Sequence, residues 1–223
     1  MIFHDDFKDL TKWLIFKGAW NIIVVDEEMT VLDGVSPGEG LIYAGNIDWT
    51  NYTVETPVRI MPDTITNEAT VVVRFRDGNN FYWAGLGCWG HRVSISRKID
   101  GVTEELVFDG DISEVLVDRV YNLKVVCKGD LIRLYVDDVL ELEVHDSTHP
   151  NGAIGYRTYN SHMQAEYIDA YAAPTPLLAI FGLAGIGGAI GYFLKPEAPF
   201  IPIIIGAASG GALGFIIHRS RSS

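Results

Sequence analysis

Between residues 13 and 173 apolar side chains fall into short runs, many with a polar residue at every second position, and turn-forming residues separate the runs. In 69–76, Val71, Val73 and Phe75 share one face while Arg74 and Arg76 take the other. In 140–145, Leu140, Leu142 and Val144 line one face and Glu141, Glu143 and His145 the opposite one. A period of two with one apolar face describes a half-buried antiparallel strand. The pattern predicts strands at 20–25, 41–44, 52–60, 69–76, 81–86, 92–98, 105–108, 121–128, 131–136, 139–144, 152–158 and 164–172. Turns are expected at Asp33-Gly34, Asp77-Gly78, Asp100-Gly101, Asp109-Gly110, Lys128-Gly129-Asp130, Asp137-Asp138 and Asn151-Gly152. Strands this short and evenly spaced, with no helical period among them, predict an all-β antiparallel sandwich or jelly roll.

The pattern changes after Pro174. Segments 177–194 and 200–217 are each 18 residues long without a charged side chain. As helices they would rise about 27 Å, close to the roughly 30 Å of a bilayer's hydrocarbon core. Lys195-Pro196-Glu197-Ala198-Pro199 suits a turn at the interface between them. The expected organisation is a jelly-roll domain at 1–171, a Pro-containing linker at 172–176, a glycine-rich transmembrane helical hairpin at 177–217 and a basic tail at 218–223. Small residues recur at a spacing of four: Ala184 with Gly188, Gly187 with Gly191, and Gly206 with Gly210 and Gly214. That spacing lets helix backbones approach closely, so the hairpin is expected to pack tightly and to support homo-oligomers within the lipid bilayer.

Charge sharpens the division. The tail from Leu177 carries Lys195, Arg219 and Arg221 against Glu197, a net +2, so the preceding residues carry −14 in a chain of net charge −12. A domain this acidic repels phosphate backbones, so nucleic acid is excluded as a partner. The start of the sequence has no basic, apolar leader pattern. With His218, Arg219 and Arg221 behind the second span, this favours a cytoplasmic C-terminus and, because a hairpin returns to its starting side, a cytoplasmic domain. The expected location is an integral membrane one, in a cell or virion envelope. Cys88 and Cys127 lie in or beside apolar runs and are expected as reduced packing residues, with a single bridge as the alternative.

Several stretches resemble the concanavalin A-like lectin and glucanase jelly rolls, in particular their laminin-G-like and 3-keto-disaccharide-hydrolase-like branch. Phe3-His4-Asp5-Asp6-Phe7, Trp13 and Gly18-Ala19-Trp20 look like its opening strand, and Trp49-Thr50-Asn51-Tyr52-Thr53-Val54-Glu55 like the next. Arg74 to Tyr82 is similar to its "R-x-x-D-x-x-N-x-Y" hairpin. Tyr121–Val125 with Gly129–Asp137 is similar to a late hairpin, and Gly152–Arg157 with Ala165–Asp169 to the closing strands. The likeness covers residues 3–171. It implies the fold, which hosts lectins, hydrolases and adhesion modules alike. Most members of this family are extracellular, against the orientation signal, so the side of the membrane stays open.

Candidate chemistry is sparse. An aromatic platform beside a few directional polar groups is the usual sugar site. Trp83 or Trp89 is the expected platform, with Arg74, Arg76, Asn80 and His91 as polar partners. Glu141 and Glu143 share a strand face and could serve as the two carboxylates of a glycoside hydrolase, but the glucanase signature has three alternating acids and here the third position is His145. The acids are therefore read as a solvated face and no catalytic residue is assigned. Asp5, Asp6 and Asp9 form one acidic cluster and Asp109 and Asp111 another; neither has a metal-loop spacing, so no cofactor is expected, with calcium the one ion the fold leaves open. His145, His149 and His162 lack zinc-type spacing and are expected at the surface. The leading expectation is a membrane-anchored lectin-like structural or adhesion protein that presents its jelly roll to a glycan or a neighbouring copy, and the alternative is a membrane-bound glycoside hydrolase.

Overall fold

A computed structural model describes residues 1–63 and 65–173. The predicted spans, their small-residue faces, the basic tail and the prolines of the linker lie outside the described residues. Among the described residues no helix is long and apolar enough to cross a membrane.

The described chain is all-β. Its strands are β1 (Phe3–Asp5), β2 (Trp13–Lys17), β3 (Ala19–Val24), β4 (Thr30–Ala44), β5 (Tyr52–Ile60), β6 (Ala69–Asp77) and β7 (Asn80–Leu86). They continue as β8 (His91–Ile99), β9 (Val102–Asp111), β10 (Val120–Lys128), β11 (Leu131–Val136), β12 (Val139–His145), β13 (Ala153–Ala165) and β14 (Ile168–Ala172). Two 3-10 turns, Cys88–Gly90 and Ile112–Glu114, are the helical elements among the described residues.

One antiparallel ladder runs β12-β11-β10-β5-β13-β6-β7-β8-β9 and folds back on itself as a sandwich. The seam is β13. Its first half pairs with β6, Met163–Ala165 pair with β5, and a register shift between Tyr159 and Ser161 turns the strand from one layer to the other. On its other side β13 pairs with β4, whose far edge carries β2 and β3. Beside β5 lie β14 and then β1.

Two-residue connections behave as their sequences dictate. Asp137 and Asp138 both take positive φ (50° and 66°), and Asp100 and Gly101 do the same (49° and 84°), the backbone that matches the twist of a tight hairpin. Other turn signals do not. Asp33-Gly34 lies inside β4, which runs unbroken past Pro37 and Gly38. A side chain at Gly34 would overlap the six-membered ring of Trp20, so this glycine serves a close ring-on-backbone contact and not a turn. Asp109-Gly110 closes β9 and does not interrupt it. The predicted strand at 164–172 is two elements, the end of β13 and β14. Residues 13–17 also form a strand, although Leu14, Ile15 and Phe16 are exposed.

The main core lies between the layers and includes Trp13, Ile42, Val54, Val71, Tyr82, Ile95, Val125, Leu134 and Ile154. A second apolar cluster, Leu41, Val72, Phe75, Phe81, Trp83, Cys88 and Ala153, covers the opposite face of β4, β13, β6 and β7. That second cluster corrects the reading of 69–76 as half wet: every residue from Ala69 to Phe75 is buried. Cys88 and Cys127 are both buried and unbridged. Burial pushes the Cys127 thiol up to about 12, which keeps it protonated and inert.

Candidate functional site

The face behind the second cluster is where polar residues converge. On β4, β13, β6, β7 and β8 the side chains of one parity point to this face: Glu39 and Leu41, Ala153 and Arg157, Thr70 and Val72, Phe81 and Trp83, and Ser94, Ser96 and Lys98. β4 and β8 stand four strands apart, about 19 Å in a flat sheet. Yet Lys98 Nζ donates to Glu39 Oε1 at 2.5 Å. The sheet therefore curls into a trough, and Glu39 and Lys98 meet across it.

Five charged side chains occupy the trough. Glu39 accepts from Lys98, from Lys17 Nζ at Oε2 (3.0 Å) and from Arg157 Nε at Oε1 (3.3 Å). Arg157 Nη1 donates to Glu68 Oε1. The Arg157 guanidinium also lies over Trp83, 4.5 Å from the ring centre, so the indole is a floor beneath a cation. Glu39, Glu68, Lys98 and Arg157 are all nearly closed to solvent. Burial pushes the Glu39 carboxyl up, but hydrogen bonds from Lys98 and Lys17 and the nearby positive charges outweigh it and bring the group down to about 2. For Glu68 burial wins over the charge of Arg157 and raises the group to about 7. The two carboxylates share one arginine and titrate on opposite sides of their ordinary value.

This network floors a cavity of about 520 Å³ whose rim adds Asn79, Trp89, Thr103 and Tyr159. Trp89 is 53% exposed and Tyr159 45%. The backbone of Trp89 is left-handed (φ 56°, ψ 13°), a conformation that costs a bulky residue roughly 1–2 kcal/mol. It is flanked by Gly87 and Gly90, both also at positive φ, and its indole Nε1 donates to Ser96 Oγ at 3.2 Å. The chain thus accepts strain to hold a large ring out over a polar pocket, the kind of outlier that marks function.

Of the six residues expected around a sugar, the structure places Trp89 at the rim of this pocket and Trp83 in its floor, and the other four elsewhere. Trp83 is fully buried beneath Arg157. Arg74 is fully buried, and its guanidinium donates to the carbonyls of His149 (3.2 Å) and Gly129. Arg76 donates to Asn151 Oδ1, and Asn80 donates to both oxygens of Asp77 in its own hairpin. His91 stacks on Phe108 (ring centres 3.8 Å apart) with Glu105 at 3.4 Å. Glu39, Glu68, Lys98, Arg157 and Tyr159 were not singled out from sequence. Their signal was faint: Ser94, Ser96 and Lys98 alternate with Val93 and Ile95, which shows a shared face but not that the face is a pocket floor.

The remaining candidates are locally satisfied. Arg92 holds Glu141 in a two-pronged pair (3.0 and 2.6 Å), and Arg133 holds Glu143 at 2.5 Å. Asp5 is buried and accepts from the Phe7 amide and the Trp13 indole. Asp6 pairs with Lys8, Asp9 bonds Thr11, and Asp111 caps the Ile112–Glu114 turn. Among the described residues no three His, Cys, Asp or Glu side chains converge as a metal-holding group. The histidines divide. His145 is exposed, as expected. Contrary to expectation, His149 is buried with its Nε2 at 2.8 Å from the Lys98 carbonyl, because the loop before β13 folds under Tyr82. His162 is drawn in between Asp33 (2.8 Å) and Asp63 (2.7 Å). Burial lowers its basicity, but the two aspartates outweigh that and raise it.

The fold is an antiparallel jelly-roll sandwich similar to solved carbohydrate-binding and glycoside-hydrolase domains. No known family pattern matches the chain. In structure it is similar to the carbohydrate binding module CBM66 from Bacillus subtilis, with a TM-score of 0.64 at 20% identity over 73% of this chain and 96% of that one. A Bacillus licheniformis beta-glucanase superposes with a TM-score of 0.53 at 12% identity over 77% and 98% of the two chains. In sequence it is similar to a levanase of Bacillus subtilis (strain 168), 22% identical over 154 residues, or 69% of this chain and 22% of the levanase. It is also 26% identical over 138 residues to an extracellular exo-alpha-L-arabinofuranosidase of Streptomyces chartreusis, 61% of this chain and 16% of that enzyme. The chain thus spans about a fifth of the length of these relatives.

Proposed function

We propose that the jelly roll is a glycan-binding module and that its site is the Trp89–Tyr159 trough. The observation that carries this reading is the pairing of an exposed, strained tryptophan with a buried network of carboxylates and cations. A sugar ring offers an apolar C–H face and a rim of hydroxyls; the first stacks on Trp89 or Tyr159, and the second exchanges hydrogen bonds with Glu68, Arg157, Asn79 and Thr103. Burying charges is costly even when they are paired, and sugar hydroxyls that bridge carboxylate and guanidinium add hydrogen bonds without neutralising either. The relatives support the reading, since their names are those of a carbohydrate binding module, a levanase and an exo-alpha-L-arabinofuranosidase.

In this reading the uncharged segments 177–194 and 200–217 hold the module at a membrane of a cell or virion envelope. Packing of their small-residue faces gathers several copies, so that many weak sites act together as an adhesive surface. The test is an oligosaccharide array probed with the full chain in detergent. Binding without turnover, lost in Trp89→Ala, is the expected result; a blank array from folded protein defeats the reading.

One observation favours hydrolysis as a second reading: Glu68 and Glu39 have their acidities pushed apart, as an acid and a charged partner would. Against it, three cations engage the oxygens of Glu39, which leaves it poorly placed to attack a sugar carbon. Release of reducing sugar from any bound oligosaccharide, lost in Glu68→Gln, would support the enzyme.

A further inference from the structure

We infer that the glycan taken by this trough is acidic, with a sugar carboxylate seated beside Glu39 between Lys17 and Lys98. This rests on the glycan-binding reading and narrows its ligand to uronate-bearing chains.

The argument is one of local charge. Residues 1–173 carry 28 carboxylate side chains and 14 Lys or Arg, twice as many acids as bases. In the trough bases outnumber acids, with Lys17, Lys98 and Arg157 against Glu39 and Glu68. The three cations all reach for one carboxylate, Glu39, so the charge beside it is in excess even though every cation has a partner. Among the described residues Lys17 and Lys98 have no other anionic partner, and each ammonium has three hydrogens to place. Lys98 is almost closed to solvent, with its ammonium 4.9 Å from the centre of the Phe81 ring, while Lys17 is half-exposed at the mouth. A carboxylate seated at the mouth beside Glu39 would meet Lys17 there, with Lys98 behind it in the pocket wall. A neutral hydroxymethyl group at the same place would leave the excess charge unmatched.

Glu68 adds a pH dependence. The charged or titratable groups around it are Arg157 from β13, Cys88 from the 3-10 turn and Glu39 from β4. Because Glu68 is raised to about 7, its protonation removes a negative charge beside Arg157, which stays held by Glu39 and Trp83, and makes the trough more positive as pH falls from about 7. Sugar carboxylates stay ionised across that range, so their binding strengthens toward acid and that of neutral sugars does not.

Trigalacturonate and its carboxyl-reduced counterpart, galactotriose, differ at the feature in question and serve as probes for the full-length protein in detergent, followed by calorimetry. The acidic sugar is expected to bind about tenfold tighter or more, the size of one charge-assisted contact. Lys17→Met should bring the ratio to within about twofold, and Lys17→Arg should restore it. Equal affinity for the two probes, or a ratio untouched by Lys17→Met, overturns this assignment while leaving the glycan reading in place. Failure of both probes and of a neutral and acidic array removes the glycan reading, and this assignment with it.

Discussion

The Arg157 guanidinium lies 4.5 Å above the centre of the Trp83 ring, and this one contact joins the hydrophobic layer to the polar trough. Beneath it are Phe81, Phe75 and Leu41; above it are Glu39 and Glu68. A cation between an aromatic floor and two carboxylates is fixed on every side, so the pocket floor is preorganised before any ligand arrives.

Truncating either partner should therefore affect stability before it affects binding. Trp83→Ala removes a fully buried indole and is expected to cost about 3–5 kcal/mol. Chemical denaturation monitored by far-UV dichroism measures it; a loss under about 1 kcal/mol would mean the indole is not part of the core.

Trp89 should behave in the opposite way. Its left-handed backbone suits glycine, so Trp89→Gly relieves strain of about 1 kcal/mol while it removes the exposed ring. The variant is expected to melt at or near the wild-type temperature and to lose glycan retention on affinity electrophoresis. A large drop in melting temperature with retention intact would show that the ring is structural.

Gly87 is constrained by its neighbours. At φ +75° a side chain there would land on the Asn67 carbonyl, part of the segment that delivers Glu68 to the pocket. Gly87→Ala should destabilise by about 2 kcal/mol or more, because both the backbone angle and the space are wrong.

The two trough carboxylates give stability opposite dependences on pH. Glu39, held down to about 2, contributes stability that is present above its ordinary value of 4.5 and lost as pH falls toward 2. Glu68, raised to about 7, contributes stability that is present below 4.5 and lost as pH rises through 7. Urea midpoints across this range should show Glu68→Gln flattening the slope between pH 4.5 and 7. Glu39→Gln should instead destabilise at neutral pH by about 3–5 kcal/mol, because buried cations lose their common partner.

The membrane anchor proposed for 177–217 makes a separate prediction. The full chain should enter the detergent-rich phase on Triton X-114 partition, and deletion of 177–223 should move it to the aqueous phase. Aqueous partition of the intact chain would contradict the anchor.

Strand identity was legible because it is local. Val and Ile runs closed by Asp-Gly or Asp-Asp have few alternatives, and β5 and β11 occupy the residues their patterns predict. The free cysteines followed from their apolar neighbours in the same way. Period two also showed that Ser94, Ser96 and Lys98 share a face. What it could not show is what that face meets, since alternation assigns parity and not surroundings. Arg74 and Trp83 read as a cation and a platform, yet tertiary packing buries both, Arg74 against the His149 and Gly129 carbonyls and Trp83 beneath Arg157. Glu39, Glu68 and Arg157 are far apart in the chain and lie in unremarkable contexts. Only the curl of the sheet, set by side-chain packing between layers, brings them within hydrogen-bonding distance, and no local pattern encodes that curvature.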